Sequence, residues 1–162
     1  MRFRWSEFAA VGCHLAMRPP SLAASDDALL RCAVGRFYYA LFCSLRDEFL
    51  RQDSWGVGLD GPHTSGVHRQ LIRALRRHAT NGHLVEIGDH LDNLRRYRNT
   101  CDYETVIPRR STGPQSVREV YDRALDAVVG VLGAAERAGL PIAMDAATRD
   151  LLPRTGDGNG TA

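Results

Sequence analysis

Arg98, Asn99, Asp102 and Tyr103 fall within six consecutive residues, Arg98-Asn99-Thr100-Cys101-Asp102-Tyr103. They carry a guanidinium, an amide, a carboxylate and a phenol, a set suited to holding a phosphate and moving a proton beside it. The guanidinium grips and polarises the phosphate, and the Asn99 amide donates a hydrogen bond to it. Asp102 is ionised at neutral pH, so it suits a proton acceptor or an orienting partner for Arg98. Tyr103 can stack on a base or donate its hydroxyl. Leu84, Ile87, Leu91, Leu94 and Cys101 repeat at helical spacing, and the position missing from that stripe is Arg98. A charge on a core stripe needs a partner or a purpose. Asp102 lies four residues on, within reach along a helix. Arg before Asp is the weaker order for such a pair, and an anion at a helix C-terminus opposes the dipole. Helix stabilisation alone is therefore a poor reason for this arrangement.

A second group is basic. No acidic residue occurs between Gly61 and Val85, whereas Arg69, Arg73, Arg76, Arg77 and four histidines do. Arg69, Arg73 and Arg76 share one helical face at i, i+4 and i+7. With Arg95 they are candidates for tracking the phosphates of a nucleic acid. The same spacing also describes a solvated outer face. Tyr38, Tyr39 and Phe42 are aromatics that either stack on bases or fill a core or an interface.

Five helical segments must position these groups, and no stretch alternates as a strand does. The first covers about residues 4–16 and stops before Pro19-Pro20. The second is N-capped by Ser25, with Asp26 and Asp27 at the positive end of its dipole. Its stripe is Leu30, Val34, Phe37, Leu41, Leu45 and Phe49, widened by Tyr38 and Phe42, which predicts packing on two sides. It frays into the glycine-rich residues 55–58. The third starts near Thr64-Ser65, buries Val67, Leu71, Ile72 and Leu75, and ends with Asn81-Gly82 as its C-cap. The fourth covers about residues 83–103, followed by a loop at 108–114. The fifth opens on the capping box Ser116-Val117-Arg118-Glu119. It carries Val117, Val120, Ala124, Val128, Leu132 and Ala135, and stops at Gly139 before Pro141. The expected architecture is all-α, a single bundle of four to five helices over residues 1–144 with a flexible tail over 145–162.

Composition narrows the classes further. A hydrophobic fraction of 44% and a charged fraction of 25% are those of a globular domain, and the net charge of +2 does not announce nucleic acid by itself. Every residue in the Lys+Arg count of 21 is arginine. No uninterrupted apolar run reaches the roughly 18 residues of a membrane span, and the N-terminus has no signal-peptide core. A cytoplasmic protein with no membrane partner is expected. Cys13, Cys32, Cys43 and Cys101 form no C-x-x-C pair and read as small core residues. The six histidines show no H-E-x-x-H and no ligand quartet with the cysteines, and no P-loop, G-x-G-x-x-G or G-x-S-x-G is present. Neither a metal nor another cofactor is expected.

Three segments, in order, are Gly35-Arg36-Phe37-Tyr38-Tyr39-Ala40-Leu41-Phe42, His63-Thr64-Ser65-Gly66-Val67 and Arg98-Asn99-Thr100-Cys101-Asp102-Tyr103. Together they resemble the HEPN superfamily, in particular its small prokaryotic members. The first resembles that family's aromatic signature on a long helix, the second its H-x-x-G-V segment, the third its R-x-x-[small]-D-Y ending. The resemblance covers about residues 28–132. It implies an up-and-down bundle of four or five helices, a homodimer whose polar motifs face one cleft, and a place for His63 at the site. Many members resemble metal-independent endoribonucleases with an R-x4-6-H motif, in which Arg polarises the phosphate and His transfers the proton for attack by the ribose 2′-OH. This chain departs from that motif, because residues 103–105 are Tyr, Glu and Thr. Literal matches, Arg73 to His78 and Arg76 or Arg77 to His83, lie elsewhere.

The expected function is an RNA-directed module of a prokaryotic toxin–antitoxin or antiphage defence system, with endoribonuclease activity as its sharpest form. The non-enzymatic alternative is a HEPN partner or substrate of a minimal nucleotidyltransferase, with Tyr103 as a modification site. A third reading is a nucleotide-binding sensor using the same arginines.

Overall fold

A computed structural model describes residues 4–19, 21–52, 66–107 and 113–142. His63, Thr64, Ser65, residues 55–58 and the expected tail over 145–162 lie outside the described residues. Among the described residues the chain is an all-α bundle of five helices: α1 (Ser6–Ala16), α2 (Asp26–Arg51), α3 (Val67–Arg76), α4 (Gly82–Tyr103) and α5 (Val117–Arg137). Among the described residues there is no strand.

Local chemistry sets the helix ends. Ser25 Oγ accepts from the Ala28 N–H at 3.3 Å and starts α2. Ser116 Oγ accepts from the Glu119 N–H at 3.1 Å, and the Glu119 carboxylate reaches back to the Gln115 N–H at 2.7 Å, one residue earlier than a standard capping box. α5 closes in a Schellman motif. Gly139 has φ +70, its N–H donates to the Glu136 carbonyl at 3.0 Å, and the Leu140 N–H donates to the Ala135 carbonyl at 2.9 Å. Asn81 departs from the sequence expectation. It does not cap the C-terminus of α3, which ends at Arg76, but is the N-cap of α4, where its Oδ1 accepts from the His83 and Leu84 N–H groups at 3.0 and 3.4 Å. Asn serves at either helix end, and its side-chain acceptor found the free N–H groups first.

α2 is the central element, packed against α1, α4 and α5, while α4 contacts α2, α3 and α5. The expected stripe of α2 is buried throughout, and Tyr38 and Phe42 are buried with it, as packing on two sides requires. α2 is long and apolar enough to cross a membrane by length and composition, yet 61% of its most apolar window is buried within the bundle. The α4 stripe Leu84, Ile87, Leu91 and Leu94 is fully enclosed. On α5, Val131 takes the enclosed position and Leu132 is only partly buried. Three cysteines lie in the core, but Cys32 is exposed, because it follows Arg31 off the buried face of α2.

α3 and α4 approach closely at Gly88. A Cβ there would lie 2.9 Å from the Arg76 backbone nitrogen and 3.0 Å from the Leu75 Cβ. Gly88→Ala must push the two helices apart, with an expected stability loss of about 1–3 kcal/mol. Gly133→Ala meets only the flexible end of Arg137, at 3.3 Å, and is expected to gain about 0.5–1 kcal/mol from helix propensity. Urea denaturation of the two variants in parallel checks both signs.

Candidate functional site

The C-terminal turn of α4 is held from α2. Arg31 Nη1 donates to the carbonyls of Thr100, Cys101 and Glu104 at 3.3, 2.9 and 2.8 Å. A cation on these carbonyls offsets the negative end of the helix dipole, where Asp102 would otherwise be repelled. The backbone carrying Arg98 to Tyr103 is thereby fixed against the central helix.

Arg98 occupies its stripe position with 18% of its side chain exposed. Its Nε lies 2.6 Å from Asp102 Oδ2, an ion pair at contact distance. The Nε–H is not aimed at that oxygen, however, and this buried donor has no hydrogen-bond partner. Nη2 donates to the Tyr39 hydroxyl at 3.0 Å and Nη1 to Asn99 Oδ1 at 3.1 Å. The guanidinium also lies 5.3 Å from the Tyr39 ring centre and 5.5 Å from that of Tyr103. Burial opposes its charge, but Tyr39, Asp102 and Tyr103 outweigh burial and raise its pKa above the ordinary arginine value. Asp102 lies over α2 at Gly35, where an added Cβ would come within 4.0 Å of its Oδ1. Tyr103 is 71% exposed, so one ring face can meet a ligand. The four expected residues therefore do meet at one place. The Asn99 amide oxygen is engaged by Arg98, which leaves its NH2 group as the donor.

Next to Arg98 stands a residue that the motif pattern did not single out. His68 of α3 stacks on Phe42 with ring centres 3.9 Å apart, and its Nδ1 shares a hydrogen bond of 2.7 Å with the Tyr38 hydroxyl. Burial first, then the charges of Arg98, Arg95 and Arg46, lower its pKa below the ordinary histidine value. The signal was present in the sequence. His68, Leu71, Ile72 and Leu75 share one helical face, so His68 is a polar residue on a core stripe, as Arg98 is.

The basic group divides in two. Asp92, buried at 7% exposure, accepts from Arg95 at 3.0 and 3.2 Å, from Arg96 at 2.8 Å and from Arg76 at 3.3 Å. Arg76 also pairs with Asp89 at 2.7 Å. Arg76 and Arg95, expected as phosphate ligands, are thus already held by carboxylates. Arg69 and Arg73 are exposed and form no ion pair among the described residues. With Arg76 and Arg77 they line an open groove of about 360 Å³ whose floor includes Ile72 and Asp92. Of the histidines in literal R-x4-6-H matches, His78 Nδ1 accepts from the Asn81 N–H at 3.2 Å, and His83 lies 3.5 Å from Glu86. Both belong to the turn between α3 and α4 and its flank.

Comparison with known proteins adds little chemistry. No family model and no solved structure matches the chain. Over 91 residues it is 26% identical to the uncharacterized protein MJ0992 of Methanocaldococcus jannaschii. The match covers 51% of each protein, so the chain corresponds to about half the length of this relative.

Burial alone would raise the Asp92 pKa, but the hydrogen bonds and charges of Arg95 and Arg96 outweigh it and hold the carboxyl below its ordinary range. A folded pKa below the unfolded one contributes stability above the unfolded value, near pH 4, and loses it as pH falls through the folded value. Asp92→Asn is expected to cost about 2–3 kcal/mol at pH 7, because it leaves three guanidiniums facing one another. It should also flatten the loss of stability on acidification, read from urea midpoints between neutral and acidic pH. Arg31→Met should leave the core intact and speed hydrogen exchange at the Tyr103 and Glu104 amides.

Proposed function

We propose that this chain is an RNA-directed module that seats a backbone phosphate at Arg98 and leads the strand to it along α3. The observation that carries this reading is the Arg98 guanidinium, set on a core stripe with 18% of its side chain exposed and Tyr103 beside it. An enclosed donor of fixed charge suits a phosphate oxygen, which accepts strongly and carries the opposite charge. Exposed Tyr103 offers a stacking face beside it, as single-stranded RNA recognition uses. The surface leading there is cationic. Seven arginines between Arg69 and Arg98 stand against Asp89, Asp92 and Asp102, and Glu86 is turned away to Arg137 and His83. The order and spacing of the three segments that resemble HEPN proteins support the same reading, and with it a role in prokaryotic toxin–antitoxin or antiphage defence.

A second reading has one observation in its favour. Tyr103 is 71% exposed, and its hydroxyl would suit a nucleotidyltransferase partner that modifies the chain.

Fluorescence anisotropy with a labelled single-stranded RNA over a salt series tests the RNA reading. Affinity should fall steeply with salt, and Arg98→Ala should weaken binding about tenfold or more. The double variant Arg69→Ala, Arg73→Ala should lower the slope of log affinity against log salt by about 1.4, since each single-strand phosphate left without its arginine lowers it by about 0.7. Binding indifferent to salt would overturn the α3 track.

A further inference from the structure

Arg77, the C-cap residue of α3, continues the row begun by Arg69 and Arg73. The three stand at i, i+4 and i+8, a spacing that keeps them along one side of a helix over about 12 Å. All are exposed, and none forms an ion pair among the described residues. The row has a hollow on each flank. The groove of about 360 Å³ lies on its α4 side and includes Ile72, Arg76 and Asp92. A second hollow, of about 390 Å³, lies on the far side and includes Gly66, Gln70 and Ala74. Arg69, Arg73 and Arg77 line both. Helical geometry gives the same division, since Ile72 and Arg76 fall to one side of the row and Gln70 and Ala74 to the other. Positive charge prevails in both hollows. Asp92 is the one carboxylate among these lining residues, and Arg76, Arg95 and Arg96 already match its charge.

A guanidinium carries donors on more than one edge, so one row of arginines can serve acceptors on both flanks at once. A single strand fills one flank only. Two phosphate chains running close together fill both, and facing chains of that kind form the mouth of a duplex groove. In an A-form RNA helix the major groove is deep and too narrow for side chains to read its bases, so its two backbones come within reach of one row at the mouth. The B-form major groove, about 12 Å wide, is too broad to be bridged in this way, and the B-form minor groove, about 6 Å wide, is the competing fit. The row also runs toward the phosphate site. Its Arg77 end neighbours Arg76, which Asp89 and Asp92 hold to α4. Its Arg69 end neighbours His68, which feels the charges of Arg95 and Arg98 further along α4. We propose that Arg69, Arg73 and Arg77 bridge the two backbones across the major groove of an RNA stem, so that the ligand of this chain is a structured RNA whose unpaired nucleotides reach Arg98 and Tyr103. The inference rests on the RNA reading and adds to it the form of the RNA.

Fluorescence anisotropy at one salt concentration compares a labelled RNA hairpin, a single-stranded RNA of the same length and a DNA hairpin of the same sequence. Wild type should bind the RNA hairpin about tenfold or more tightly than either of the others. The triple variant Arg69→Lys, Arg73→Lys, Arg77→Lys keeps the charge but replaces each planar fork by a point donor. With its fold confirmed by circular dichroism, it should bind the single strand within about twofold of wild type and lose most of the preference for the hairpin. Equal affinity of wild type for the single strand and the RNA hairpin, an equally tight DNA hairpin, or a preference that the triple variant retains would each overturn the stem and leave RNA binding standing. Should the triple variant fail to fold, Arg77→Lys alone should weaken hairpin binding about twofold or more and spare the single strand, and hairpin binding unchanged in it would overturn the row. Absence of binding to either RNA by wild type would overturn the RNA reading itself.

Discussion

A guanidinium on the core stripe of α4 is the constraint to which the rest of this structure answers. Arg98 replaces an apolar side chain between Leu94 and Cys101, so the bundle must surround a charge it cannot expel. Tyr39 supplies an acceptor, Asp102 a counter-charge, and the two tyrosine rings supply polarisable faces. Asp102 in turn stands at the wrong end of a helix dipole, and Arg31 makes that end tolerable by covering three carbonyls. Each of these residues is explained by the one before it, and the chain of reasons begins at Arg98.

The long elements were legible because their periodicity is strong. The stripes of α2, α3 and α4 are buried as their spacing requires, and the caps at Ser25 and Ser116 hold. Arg98 was legible for the same reason, as an interruption in a regular pattern. Asn81 was misassigned because one residue type satisfies both helix ends, and only the loop geometry decides. Arg31 was invisible because its acceptors are main-chain carbonyls about seventy residues later, and main-chain groups leave no trace in residue identity. His68 was readable by the rule that found Arg98. A histidine on an apolar stripe is an ordinary sight, however, and it gains meaning only from the guanidiniums brought beside it from other helices.

The arginines look uniform in the sequence and are not uniform in the fold. Asp92 gathers Arg76, Arg95 and Arg96 into a buried, mutually satisfied cluster that joins α3 to α4. Arg69 and Arg73 remain turned outward. One part of the positive charge is therefore architectural and the other faces outward with no ion pair among the described residues. Helical spacing alone could not separate them, because Arg76 shares a face with both.

The close approach at Gly88 has a mechanical consequence. Around the place a Gly88 Cβ would take lie the Arg76 Cγ, the Arg76 backbone nitrogen and the Leu75 Cβ, so α3 meets α4 here through its backbone and the roots of two side chains. The short helix is pinned near its C-terminal end there and by Arg76, with His68 a little over two turns away along its axis. Gly88 thus acts as a fulcrum. A small tilt of α3 there becomes a larger displacement of the imidazole relative to Arg98. The spacing of α3 from α4 is therefore set at a position that carries no side chain of its own.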